Sequence, residues 1–232
     1  MNLQNYKAQV NLLLSVLPEV EKEACFALHG GTAINLFIRN MPRLSVDIDL
    51  TYLPIETRDV SIQSIGKALA RIKKNIETIF TQVRVQHKTR EAKLFVTNGD
   101  ATIKIEVNLI KRGCYSSPIQ LELYSKAQDV FEVYTEMAVV EQGHLFGGKI
   151  CAALDRQHPR DLFDTQSMLD TEGFNDEIKK GFIFYLISSN RPIGEILFPH
   201  FKDQQSAFKN QFSGMTTDSF TYSDYEKTRA RL

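Results

Sequence analysis

Residues 25–52 read CFALHGGTAINLFIRNMPRLSVDIDLTY. A short apolar run ends in two glycines, a helical pattern follows, and an alternating segment closes the stretch. Cys25 to His29 reads as a strand and Gly30-Gly31 as a turn. The segment TAINLFIRN then forms a helix, with Thr32 placed to cap it, and LSVDIDLTY forms a second strand. Side chains alternate faces along a strand, so Ser45, Asp47 and Asp49 share one face and Val46, Ile48 and Leu50 the other. Asp is disfavoured in strands, and two carboxylates side by side repel each other. Their pairing asks for a cation. A hard ion such as Mg²⁺ prefers carboxylate oxygens together with substrate phosphates.

The segment TIKIEVNLI (102–110) repeats the arrangement. Ile103, Ile105, Val107 and Leu109 face one way, and Thr102, Lys104, Glu106 and Asn108 the other. If the two strands are neighbours with the same face to the core, Glu106 joins Asp47 and Asp49. Ions held by such a cluster can activate an attacking oxygen and stabilise a leaving one. A solvated sheet face accounts for Glu106 taken alone. The glycine turn also has two readings. Glycines allow a tight strand-to-helix connection, and they let a ligand approach the backbone. The N–H groups of a helix start favour an anion such as phosphate, and Thr32 adds a hydroxyl there. Its position shortly before D-x-D favours the second reading.

A third dense segment is FGGKICAALDRQHPRDLFD (146–164). Pro159 marks a helix start, with His158 at its cap. Lys149, Ala153 and Arg156 fall on one stripe of the preceding helix, and Arg160, Asp161 and Asp164 lie within one turn of the next. Lys149 has the charge to neutralise a triphosphate. Asp161 or Asp164 would orient that lysine or an arginine, or contact sugar or base. For Asp155 and Arg156 an ordinary surface ion pair is an equal reading.

The rest of the chain is coarser. Tyr6, Val10, Leu13, Leu14 and Leu17 give residues 5–23 a helical period, with Pro18 set to end or bend the helix. Residues 58–80 form another helix. Residues 82–88, 93–98 and 101–110 read as strands, with Asn98-Gly99-Asp100 as a hairpin turn. Beyond about residue 120 helical segments are expected at 127–139, 141–157, 160–171, 174–188 and 218–231. The fold class is therefore α+β, with a sheet-bearing domain over 1–120 and a helical domain over 121–232. The absence of a Gly/Ser/Pro linker suggests that the two share a cleft.

Lys+Arg and Asp+Glu both number 28, so no global charge draws the chain to nucleic acid or a membrane. A polyanionic partner needs a local patch; Arg71, Lys73 and Lys74, or Lys179 and Lys180, are candidates. Cys25, Cys114 and Cys151 are too widely spaced for a disulfide framework and suit a reducing cytoplasm. The N-terminus does not read as a leader. No apolar run approaches the roughly 20 residues needed to span a bilayer.

In their order, HGGTAINLF, RLSVDIDL, KIEV and GGKICAALDRQHPRDLFD resemble the AbiEii/AbiGii nucleotidyltransferase toxins of the DNA polymerase β-like superfamily. The similarity runs from about residue 20 to 170. It implies a nucleotidyltransferase-type mixed sheet flanked by helices, followed by a helical region that completes the nucleotide cleft. It implies NMP transfer from an NTP to an acceptor hydroxyl, with tRNA an acceptor in some relatives. It also implies Mg²⁺ or Mn²⁺, and a cognate antitoxin in a bacterial toxin–antitoxin or abortive-infection pair. On this resemblance Gly30, Gly31 and Thr32 form the phosphate turn, with Arg43 and Ser45 in the R-x-S-x-D-x-D segment and Ser45 supporting the triphosphate. Asp47, Asp49 and Glu106 are metal ligands and Glu106 a base, while Lys149, Arg160, Asp161 and Asp164 bind nucleotide. Gly-Gly stands where the wider superfamily has Gly-Ser, which removes one hydroxyl from the turn. A non-catalytic nucleotide-binding module and a phosphohydrolase using the same carboxylates are the alternatives. Residues 172–232 carry no matching motif.

Overall fold

The computed structural model describes residues 3–216 and 218–232. The chain forms two compact units, one running to Val140 and one from Glu141 to Leu232.

The first unit opens with α1 (Leu3–Glu21), β1 (Phe26–His29), α2 (Gly30–Thr32, continued with wider π pitch over Ala33–Ile38), β2 (Asp47–Tyr52) and α3 (Arg58–Ile79). It continues with β3 (Arg84–Lys88), β4 (Lys93–Asn98), β5 (Ala101–Val107), β6 (Ile119–Glu122), α4 (Ser125–Phe131) and β7 (Glu136–Val139). Among the described residues these strands form one mixed seven-stranded sheet in the order β3-β4-β5-β2-β1-β7-β6. β2 lies antiparallel to β1 and parallel to β5. Ile48, Leu50, Ile103, Ile105 and Val107 are buried on one face, together with Leu13, Leu14 and Leu17 of α1 and Leu69, Ile72 and Ile76 of α3. Burial of these side chains, about 1.5–3 kcal/mol each, fixes the register, since a one-residue slip would turn them to water.

Three local expectations change. α1 runs through Pro18 to Glu21, because Leu17 and Val20 flank the proline and are fully buried. The last turn of α2 widens, with Arg39 N–H donating to the Ile34 carbonyl five residues back (2.8 Å). The helix expected at 127–139 is instead the short α4 followed by β7. Four residues are too few for a periodic signal; β7 exists because β1 and β6 supply its ladder, with Leu28 opposite Val139 and Leu121 opposite Met137. The sheet therefore extends beyond residue 120, and the unit that holds it ends at Val140.

The second unit comprises α5 (Gln142–Arg156), α6 (Pro159–Thr171), α7 (Asp176–Ile187), α8 (Ile193–Leu197), α9 (Gln205–Gln211) and α10 (Tyr222–Arg231). His158 caps α6 by accepting from Arg160 N–H (3.2 Å), as its place before Pro159 suggests. α10 starts at Tyr222, not 218, because Thr221 and Asp224 form a capping box there. Ala153, Leu162, Phe163, Phe212, Phe220 and Tyr225 make one aromatic core. Gln157 anchors the tail: its side-chain amide donates to the His200 carbonyl (2.9 Å) and accepts from Lys202 N–H (3.0 Å).

α5 and α7 touch backbone to backbone. A Cβ on Gly147 would run into the main chain of Gly181 and Phe182, whereas one on Gly66 in α3 would meet nothing within 4 Å. Gly147→Ala is therefore expected to cost about 1–3 kcal/mol through forced separation of the helices. Gly66→Ala should stabilise by up to about 1 kcal/mol through helix propensity. Urea unfolding of the two variants checks the contrast, and equal midpoints would contradict it.

Candidate functional site

β2 and β5 are parallel neighbours, with Asp47 opposite Lys104 and Asp49 opposite Glu106. The three carboxylates thus line one half-buried stretch of the polar face. A lysine shares it: Lys104 Nζ lies 2.7 Å from Glu106, and Lys93 Nζ of β4 lies 3.3 Å from the same carboxylate. Burial disfavours the Lys104 charge, yet Glu106, Asp47 and Asp49 outweigh it and hold the ammonium above its ordinary pKa. Burial likewise opposes ionisation of Glu106, and Lys104 and Lys93 overcome it, so its carboxyl sits below the usual range. Among the described residues no three His, Cys, Asp or Glu side chains are gathered tightly enough to hold a metal. Glu106 pairs with two lysines instead. Alternation had placed Lys104 on this face but gave no sign that it would act as counter-ion.

The glycine turn is fitted to this pair. Gly30 has φ +74°, a conformation that residues with a side chain rarely adopt. A Cβ there would collide with the Asp49 carboxylate, so the missing side chain is the space that Asp49 fills. Gly31 makes room in the same way for Arg43 and Ser45: a Cβ would lie 2.7 Å from Arg43 Nη2 and 3.0 Å from Ser45 Oγ. Both residues are buried, and Arg43 Nη1 donates to the Leu44 carbonyl (2.9 Å).

Thr32 does not cap the helix; His29 occupies that position. The Thr32 hydroxyl is fully buried and bonds Ser45 Oγ (3.0 Å) and the Asp47 carbonyl. It ties α2 to the start of β2 instead. Asn35, unremarked in the sequence, donates to the Gly31 carbonyl (2.9 Å) and braces the turn from behind.

In the second unit Lys149, Asp161 and Asp164 come together. Lys149 Nζ lies 3.0 Å from Asp161 and 3.1 Å from Asp164; the lysine side chain is 6% exposed and each aspartate 1%. Arg156 reaches Asp161 from the surface with two hydrogen bonds of 2.5 and 3.0 Å. Burial raises the cost of the Asp161 charge, but Lys149 and Arg156 hold its carboxyl well below the usual carboxylate range. Arg160 is half-buried in the first turn of α6, its backbone N–H donating to His158 Nδ1. Lys149 is thus held by both aspartates in an interior ion-pair cluster. Asp155 pairs with the exposed Arg191.

Three comparisons bear on this arrangement. A family described as nucleotidyl transferase AbiEii toxin, type IV toxin–antitoxin system, matches residues 11–229. Among solved structures, the nucleotidyltransferase toxin MenT4 from Mycobacterium tuberculosis H37Rv is similar, with TM-score 0.67 and 13% identity over 95% of this chain and 82% of that one. At that identity the likeness speaks for the fold. A comparison with curated proteins finds no match.

Proposed function

The chain belongs to the nucleotidyl transferase AbiEii toxin family, and from that premise we propose that it transfers NMP from an NTP to a hydroxyl on RNA, with tRNA as the first candidate. It is a nucleotidyltransferase toxin of a type IV toxin–antitoxin system, with an NTP as substrate and a cognate antitoxin as counterpart. The observation that carries the mechanistic reading is the seating of Asp49 over Gly30, beside Asp47 and in register with Glu106. We place its action in the bacterial cytoplasm, where its three cysteines would stay as thiols. Among the described residues no helix is long and apolar enough to cross a membrane.

The donor set suits a hard divalent ion: two carboxylates on one strand face, with anionic charge enough to draw in an ammonium. Asp47 and Asp49 would hold Mg²⁺ or Mn²⁺, with Glu106 as third anionic neighbour. When bound, the ion would neutralise the triphosphate and ease departure of pyrophosphate. The protein's own groups do the rest. Gly30 admits the Asp49 carboxylate; Gly31, Arg43 and Ser45 lock the turn; Thr32 fixes the turn to β2. Lys104, opposite Asp47 and 2.7 Å from Glu106, offsets the repulsion among the carboxylates. Glu106, paired with Lys104 and Lys93, is the candidate base toward the acceptor hydroxyl. Arg160, Asp161, Asp164 and Lys149 are retained as the second unit's nucleotide-binding candidates, with Lys149 acting through its aspartates.

Labelled NTPs incubated with the protein, Mg²⁺ or Mn²⁺ and total bacterial RNA test the reading. Label should enter RNA and disappear on chelation. Release of free NMP without RNA labelling would favour the phosphohydrolase, and NTP binding without turnover the non-catalytic module.

A further inference from the structure

The register of the sheet extends the polar face well beyond the carboxylates. Asp47 and Asp49 of β2 lie opposite Lys104 and Glu106 of β5. Thr102, Lys104 and Glu106 lie opposite Thr97, Phe95 and Lys93 of β4. These in turn lie opposite Arg84, Gln86 and Lys88 of the edge strand β3. Partners in a ladder share a face, so one surface runs from the aspartates to the sheet edge. α3 covers the other face, where Val85 is buried and His87 feels the charge of Lys73.

Phe95 sits half-buried in the middle of this surface. Arg84 and Lys88 flank it diagonally on β3, Lys93 precedes it on β4, and Lys104 lies across on β5. Lys88 Nζ is already poised over the ring, 5.3 Å from its centroid. Lys88 and Lys93 lie 3.8 and 3.3 Å from Glu91, and Lys93 and Lys104 lie 3.3 and 2.7 Å from Glu106, in partly exposed pairs of the kind worth little in water, so a phosphate can compete for these cations. An aromatic ring among such cations is the combination that holds a polynucleotide strand, in which bases stack on the ring while phosphates meet the cations. The α3 cluster that the sequence suggested is tied up in part. Arg71 is committed to Glu23 by two bonds of 2.7 and 2.6 Å, and Lys73 lies 3.6 Å from Glu77.

We propose that the β3-β4-β5 face is a single-stranded RNA platform, with Phe95 stacking a base and Arg84, Lys88 and Lys93 tracking the backbone. It leads an RNA end toward Asp47 and Asp49. The last statement rests on the active-site reading above; the binding surface does not.

Fluorescence anisotropy with labelled single-stranded oligouridylate, in chelator and without NTP, tests it. Phe95→Leu should weaken binding about tenfold, and Phe95→Tyr should restore it. Arg84→Glu with Lys88→Glu should weaken it further and flatten the log–log salt slope by about 1.4, the share of two phosphate contacts on a single strand. Lys67→Glu with Lys74→Glu, the same charge change on exposed positions of α3, should leave binding unaltered. Wild-type binding by Phe95→Leu, an unchanged slope, or an equal loss in the α3 variant would overturn the proposal. So would equal binding of duplex RNA, or a face that proves by sedimentation to pair with a second copy of the chain. RNA binding that depends on Phe95, without any nucleotide transfer, would leave the platform standing and remove the active-site reading. Transfer with Phe95-independent binding would do the reverse.

Discussion

Asp49→Asn is expected to lower nucleotide transfer by about three orders of magnitude, since an ion held by carboxylates is worth several kcal/mol to the transition state and each 1.4 kcal/mol is tenfold. Asn matches Asp in shape, so the residue keeps its seat over Gly30 and the turn is undisturbed. The change removes a charge from a face that carries Asp47, Asp49 and Glu106 against Lys104 and Lys93. Relief of repulsion and loss of attraction to Lys104 then roughly cancel. Thermal unfolding should move little, and Asp47→Asn should behave alike. Incorporation of label from NTP into RNA measures the first effect and a melting curve the second. Near-wild-type incorporation in either variant would sink the assignment of these carboxylates, as would collapse of the fold.

Lys149→Met should act in the opposite sense, on stability first. The substitution leaves Asp161 and Asp164 facing each other in the interior, each 1% exposed. Breaking a buried ion pair from one side costs about 3–5 kcal/mol, although Arg156 still pairs with Asp161. For a chain of this size the melting temperature should drop by roughly 10 °C. Adding Asp164→Leu should recover part of the loss, because it removes one of the two carboxylates that Lys149 holds. An unchanged melting temperature in the single variant would mean that Lys149 is held for a ligand and not for the interior. The same cluster sets a pH dependence. The folded-state pKa of Asp161 is depressed, so its stabilisation is complete above the ordinary carboxylate value, near 4. It is lost as pH falls from there toward the folded value. Acid unfolding should therefore steepen below about pH 4 in the wild type and less so in Asp161→Asn.

Much of the site was written in local pattern. Alternation alone placed Asp47 and Asp49 on one face and Lys104 with Glu106 on another strand's face, because the strand period is two whatever the strand's neighbours are. The helices α1, α3, α5, α6 and α7 declared themselves through the 3.6-residue repeat of their apolar positions. Pro159 and His158 marked the start of α6 because a cap is chemistry between residues adjacent in sequence. Only the tertiary structure could decide that β2 and β5 are neighbours, which brings Glu106 to Asp49. It alone could turn Glu106 toward two lysines, and give Gly30 and Gly31 the task of admitting Asp49, Arg43 and Ser45. β6 and β7 were hidden for the same reason. A four-residue strand is made by the partners that complete its hydrogen bonds, and those partners are distant in sequence. The aromatic core of α6, α9 and α10 has no motif, since packing asks only for apolar volume that fits. What is fixed by neighbours a few residues away can be read along the chain; what depends on contacts across it appears only when the chain has folded.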